Sequence, residues 1–183
     1  MLPLIVLGVA AAVGWLADVL SSQRRLATGL AVAAMLAQLV SFASIAPDHL
    51  AYFNSLFGGP SRGYQKLVDS NLDWGQDLPR LSSWLRAHGT NRVRLAYFGS
   101  APPLAYGIDA TPFKSSDQRS GGPEYVAISV TFLQGAFVCG DPFGPFRSFE
   151  PSARAGYSMM VYATARPEVQ AALAVAQADP CTP

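Results

Sequence analysis

Leu67-Val68-Asp69-Ser70-Asn71-Leu72-Asp73-Trp74-Gly75-Gln76-Asp77-Leu78 is the stretch whose reading decides the fold. An apolar run ends at Asp69, and six of the eight residues from Asp69 to Gln76 carry side chains that hydrogen-bond. A helical pattern follows, with Trp74, Leu78, Leu81 and Leu85 recurring to give one buried face. A strand that runs into a polar turn and then a helix puts the turn at the carboxyl edge of a sheet. Open α/β folds bind ligands there.

Two readings of the turn compete. Asp73 with Gln76 three residues on fits a capping box, and Asp73 and Asp77 suit a helix N-terminus electrostatically. Pro79 conflicts with a helix starting at Trp74, so regular helix is expected nearer Asp77, with 73–76 as a structured turn. Asp69 and Asn71 then exceed what a cap needs, and Trp74 adds an aromatic face suited to a sugar or peptide. The expected substrate-binding residues are Asp69, Asn71, Asp73, Trp74 and Gln76. The Asp69/Asn71/Asp73 spacing resembles a calcium loop, but Trp74 and Arg80 stand where such a loop needs Gly and Glu. No metal site and no cofactor is expected, and no nucleophile triad or phosphate loop is present.

Upstream, residues 2–20 and 26–46 are two apolar runs, each long enough as a helix to cross a ~30 Å hydrocarbon core. Small residues four apart, such as Gly8/Ala12 and Gly29/Ala33, would let the helices approach closely. Between the runs lie Arg24 and Arg25, the only basic residues of this part. The positive-inside rule places that connection in the cytoplasm and everything after Pro47 outside it. A signal peptide followed by a buried helix fits less well, because no basic segment precedes the first run.

The composition agrees with a membrane location. Only 14% of the 183 residues are charged, against roughly a quarter in soluble domains. A net charge of +1 excludes a nucleic-acid partner, since no basic stripe exists to neutralise phosphates. The expected fold is therefore α/β: a transmembrane helical hairpin over 1–46, then an extracytoplasmic domain over 47–183. Its four-stranded, largely parallel sheet would use strands at 63–69, 92–98, 124–131 and 156–163, the last one open to an antiparallel placement. Residues 109–123 read as a surface loop, and 135–155 as an irregular loop with Phe137, Phe143, Phe146 and Phe149. Those rings either dip into a membrane interface or pack beneath the loop. A last helix opens at Pro167 with Val169, Ala172, Leu173 and Ala176 on one face. His88 reads as a structural residue at a helix C-terminus, and His49 as an interfacial one. Cys139 and Cys181 are not spaced as a metal site; a disulfide and two free thiols are both open.

Several pieces of the chain resemble one family. They are Tyr52-Phe53-Asn54-Ser55-Leu56-Phe57-Gly58-Gly59-Pro60, Gly63-Tyr64, the stretch from Leu67 to Leu78, Tyr97-Phe98-Gly99, Leu133-Gln134-Gly135, Gly156-Tyr157-Ser158 and Val161-Tyr162. Together they resemble the C-terminal part of bacterial phospholipid-carrier-dependent glycosyltransferases, the family 39 membrane proteins akin to protein mannosyltransferases. Phe132, in place of an Asn, and Pro79, in place of a basic residue, depart from that pattern. The resemblance implies a multi-pass protein of the bacterial inner membrane that moves a sugar from a polyprenyl phosphate to an acceptor. Its implied partners are membrane lipid, the lipid-linked sugar and an acceptor. The family's acidic catalytic residue belongs to an outward loop after the first membrane helix. Residues 21–25 contain no carboxylate, so no catalytic residue is assigned, and the chain is expected to be inactive alone. The expectation is the tail of such an enzyme, through truncation, gene splitting or an incomplete reading frame; a separately encoded catalytic membrane part is an expected partner under the alternative that follows. The alternative is a stand-alone membrane-anchored sugar- or peptide-binding or accessory module.

Overall fold

The computed structural model describes residues 2–19, 23–54, 58–67, 72–114 and 123–179. They form two compact units, Met1–His49 and Leu50–Pro183.

The first unit holds two helices, α1 (Leu2–Val19) and α2 (Arg24–Ala43). Asp18 and Arg24 face each other across the connection at 3.7 Å. Among the described residues α2 is the helix long and apolar enough to cross a membrane. Leu26, Leu30, Met35, Leu36, Leu39 and Val40 on it are all exposed. At the end of the unit the His49 ring stacks on Phe42, centroids 4.3 Å apart.

The second unit is an α/β domain. Its strands are β1 (Arg92–Ala96), β2 (Asp109–Thr111), β3 (Tyr125–Ser129), β4 (Ala153–Ala155) and β5 (Met159–Ala163). They lie in the order β2-β1-β3-β5-β4. β1 runs parallel to both β2 and β3, whereas β5 runs antiparallel to β3 and β4. The sheet is thus five-stranded and mixed, not four-stranded and largely parallel. The physical reason is the short link 156–158 between β4 and β5. A link of that length closes a hairpin, while a parallel pair needs a crossover of a dozen residues or more. The three-residue strands β2 and β4 lie in stretches that read as loops, being too short to show a period.

Residues 63–67 are not a strand. Gly63–Gln65 is a 3-10 turn, closed by Lys66 N–H donating to the Gly63 carbonyl at 2.9 Å, and Gly63 N–H donates back to the Gly59 carbonyl at 2.9 Å. Gly63 is required there, since a Cβ would lie 2.8 Å from the Phe53 side chain.

Among the described residues the domain has three α-helices: α3 (Leu78–Ala87), α4 (Val130–Leu133) and α5 (Pro167–Ala178). α3 starts after the turn, with Pro79 in its first turn, where the missing N–H costs nothing. Leu78, Leu81 and Leu85 are fully buried with Val93, Ala127, Met159 and Val161 of the sheet. The alternate residues Val126, Ile128, Met160 and Tyr162 point to the other face and are buried too. There the loop after α4 packs, with Phe143 and Phe146 fully buried and Phe146 5.1 Å from Tyr162. On α5, Val169, Ala172 and Ala176 are buried, as their spacing indicates, while Leu173 of the same expected face is half-buried. Both faces of β3 are covered, so its run of apolar residues does not alternate. Val130, expected on that strand, instead opens α4.

Candidate functional site

Parallel strands β1 and β3 end side by side, and their carboxyl ends gather the residues of interest. Phe98 N–H donates to Ser129 Oγ at 3.1 Å, tying the end of one strand to the end of the other. The turn before α3 closes over this junction. A Cβ on Gly75 (φ +77) would stand 2.9 Å from the Tyr97 ring. A Cβ on Gly99 would stand 2.7 Å from the same ring and 3.0 Å from the Trp74 carbonyl. Two glycines therefore let the turn touch the sheet edge.

Asp73, Trp74 and Gln76 build the turn itself. Gln76 Oε1 accepts from Trp74 N–H, and Gln76 Nε2 donates to the Leu72 carbonyl, both at 2.7 Å. Asp73 Oδ1 accepts from Gly75 N–H at 3.2 Å. This is a self-bonded turn rather than a capping box, and no side chain caps α3. Asp69 and Asn71 lie outside the described residues. Of the strand expected before the turn at 63–69, residues 63–67 are not strand and 68–69 lie outside the described residues.

Asp73 is fully buried. Burial pushes its carboxyl above the ordinary range, opposed by the Gly75 N–H, by the Ser129 and Thr131 hydroxyls and by the Thr131 backbone. Those hydroxyls approach the carboxyl without completing a well-aligned bond: Asp73 Oδ2 and Thr131 Oγ1 are both buried with no hydrogen-bond partner.

Above the buried carboxyl is an aromatic corner. Trp74 does not share the buried face of Leu78, Leu81 and Leu85, because it precedes α3; 57% exposed, it leans on Phe98 at 6.1 Å and 53°. Phe137, 66% exposed, stacks on the same ring at 5.0 Å and 17°. Phe132 meets Phe98 edge-on at 6.1 Å. Phe137 has φ +60, the one non-glycine residue with positive φ among those described. A bulky side chain there costs about 1–3 kcal/mol and persists only where its surroundings impose it. Two residues on, Cys139 is disulfide-bonded; the chain's other cysteine, Cys181, lies outside the described residues. Of the four loop phenylalanines, Phe143 and Phe146 are buried, Phe149 is half-buried and only Phe137 is presented outward.

Asp77 has a different task. It is buried, and its Oδ2 accepts from Tyr157 N–H, Ser158 N–H and Ser158 Oγ at 2.8–3.0 Å. Its Oδ1 takes the Arg80 guanidinium at 2.8 Å. The residue anchors the start of α3 to the β4–β5 hairpin. His88 is structural as well: it stacks on Trp84 at 3.8 Å, and its Nδ1 lies 2.8 Å from the Trp84 carbonyl.

Sequence reasoning missed Phe98, Phe137, Ser129 and Thr131 as members of the site. The signal available was the aromatic pair Tyr97-Phe98 ending an apolar run, and it gives no clue that Phe137 stacks on Phe98. Chemically the corner offers flat apolar faces over a hydrogen-bonding floor. Among the described residues no group of His, Cys, Asp and Glu is placed to hold a metal ion. A concavity of about 520 Å³ lined by Arg94, Glu124, Tyr125, Gln170 and Gln177 lies at the opposite edge of the sheet.

The fold and site define an α/β domain with an aromatic corner at the carboxyl edge of its parallel strands. Compared with known proteins, the chain matches no family model, no curated protein and no solved structure.

Proposed function

We propose that the chain is the membrane hairpin and outer domain of a glycosyltransferase that moves a sugar from a polyprenyl phosphate to an acceptor. The supporting observation is a convergence. Segments far apart in sequence that carry the resemblance meet at one end of the sheet. Gly75 closes on Tyr97, Phe98 and Gly99, and Asp77 binds Tyr157 and Ser158. Random surface residues have no reason to share such a junction.

The exposed apolar side chains of α2 need an apolar solvent. With Arg24 and Arg25 in the cytoplasm, the domain after Pro47 stands outside, where a disulfide at Cys139 persists. Alkaline phosphatase fused after Pro183 is then active; an inactive fusion alongside an active cytoplasmic reporter at the same point reverses the topology.

The experiment for function compares membranes from cells with and without this chain, supplied with labelled polyprenyl-phosphate sugar. Loss of a labelled product on deletion, restored by the intact chain and not by Trp74→Ala, is the expected result. Unchanged products on deletion would remove the reading. A second reading, an anchored binding or accessory module, draws on the corner itself, whose named groups stack and hydrogen-bond rather than transfer protons.

A further inference from the structure

The two segments that form the corner at the carboxyl edge of β1 and β3 expose no charge. In the turn of residues 72–77 both carboxylates, Asp73 and Asp77, are buried, while Trp74 and Gln76 face outward. Residues 132–140 contain no charged side chain, and there Phe137 holds an outward ring on a left-handed backbone. Phe98 lies between the two outward rings, 6.1 Å from Trp74 and 5.0 Å from Phe137. One apolar face therefore joins all three. Exposed apolar side chains also follow the chain out of α2: between α2 and α3 the exposed large ones among the described residues are Leu50, Leu67 and Trp74.

We infer that this face docks on lipid: Trp74 and Phe137 insert into the head-group zone of the bilayer that α2 crosses and so fix how the outer domain lies on it. The inference rests on the membrane placement of α2 proposed above and on nothing in the sugar transfer. Aromatic rings favour the membrane–water interface, tryptophan above all, because its apolar body and polar N–H are both accommodated there. The six residues 44–49 join α2 to the domain. So short a tether keeps the domain at the bilayer surface, and the rings need not supply the entropy of association. Hiding both carboxylates of the turn suits that setting, since an outward one would have to shed water as the rings go in. The area is too small for a folded protein partner. Rings exposed by 57% and 66% offer roughly 200–300 Å² together, whereas a stable protein interface needs about 800 Å² a side. A tethered surface contact needs no such area.

The test places the full chain in nanodiscs of phosphatidylcholine and phosphatidylglycerol, one copy per disc. Trp74 emission is read as the difference between the natural protein and Trp74→Phe, which cancels the signal of Trp15 and Trp84. The expected result is loss of Trp74 emission when the lipids are brominated on the upper acyl carbons, together with shielding of Trp74 from iodide in the buffer. Phe137→Gly separates docking from folding. Glycine accepts φ +60 without strain, so the melting temperature holds or rises while quenching by brominated lipid falls. Phe137→Tyr keeps the ring and should keep the quenching. Three results overturn the inference in a chain that stays in the disc. The first is Trp74 open to iodide and untouched by brominated lipid. The second is lipid quenching that Phe137→Gly leaves unchanged. The third is shielding of Trp74 that arises only with two copies per disc, which would assign the face to a second copy. A chain that does not enter the disc would remove the membrane placement and this inference together. Quenching as expected, with no change in labelled products on deleting the chain, would remove the transferase reading and leave this one standing.

Discussion

The Asp77 carboxylate and the Ser158 backbone N–H, 81 positions apart in the chain, meet at 2.9 Å. The same oxygen takes the Ser158 hydroxyl and the Tyr157 N–H. One buried side chain therefore fixes α3 against the β4–β5 hairpin and sets where the turn of residues 72–77 lies. Asp77→Ala strips these donors of their acceptor in a dry site. The expected cost is about 3 kcal/mol or more, a fall in melting temperature of roughly 10 °C for the full chain in detergent. Ser158→Ala leaves both backbone donors in place and should cost about 1 kcal/mol. Equal effects from the two substitutions would show that the backbone bonds do not matter.

Gly156→Ala attacks the same junction from the other side. Gly156 has φ +68, and a Cβ there would lie 2.0 Å from Asp77 Oδ1. Gly89 has φ +74 and nothing within 4 Å of its Cβ position. Gly89→Ala carries the backbone penalty alone, about 1 kcal/mol. Gly156→Ala adds the clash and should destabilise by about 2 kcal/mol more. Paired thermal melts decide it, and similar melting temperatures for the two variants would refute the clash.

Asp73 makes stability depend on pH. Burial raises its carboxyl above the ordinary value of 3.8, so the folded state holds its proton more tightly than the unfolded chain. Its contribution is complete below the ordinary value and is lost as pH rises through the raised one. Asp73→Asn does not titrate. The melting temperature of the variant minus that of the natural protein should therefore climb with pH above about 4, then level off. A difference that stays flat across the acidic range would contradict this.

Cys139 is disulfide-bonded, and the sequence has two cysteines. Protein from outside the cytoplasm, alkylated without reduction, should carry no alkyl group by mass spectrometry. Reduction should lower stability by roughly 3–4 kcal/mol if the bond joins Cys139 to Cys181, and should loosen Phe137 from Phe98. Two alkylated cysteines in unreduced protein would exclude the bond.

Local chemistry made part of this legible in advance. The apolar length of α2, the Leu78/Leu81/Leu85 face of α3, the Val169/Ala172/Ala176 face of α5 and the delay of α3 until after Asp77 follow from period, hydropathy and the fixed φ of proline. These properties act within a few residues, so the sequence by itself determined them. Pairing partners in a sheet act at any distance, and sequence period is silent about them. Only the tertiary structure decided that β2 and β4 exist, that β5 runs antiparallel, and that 63–67 folds as a turn around Phe53. It likewise decided the division of labour between two carboxylates four residues apart. Asp77 is satisfied by donors from a distant hairpin, while Asp73 is buried beside Thr131 with one oxygen unpaired. The physical reason is that a side chain's partners, and with them the cost of burying it, come from whichever segments the folded chain brings alongside.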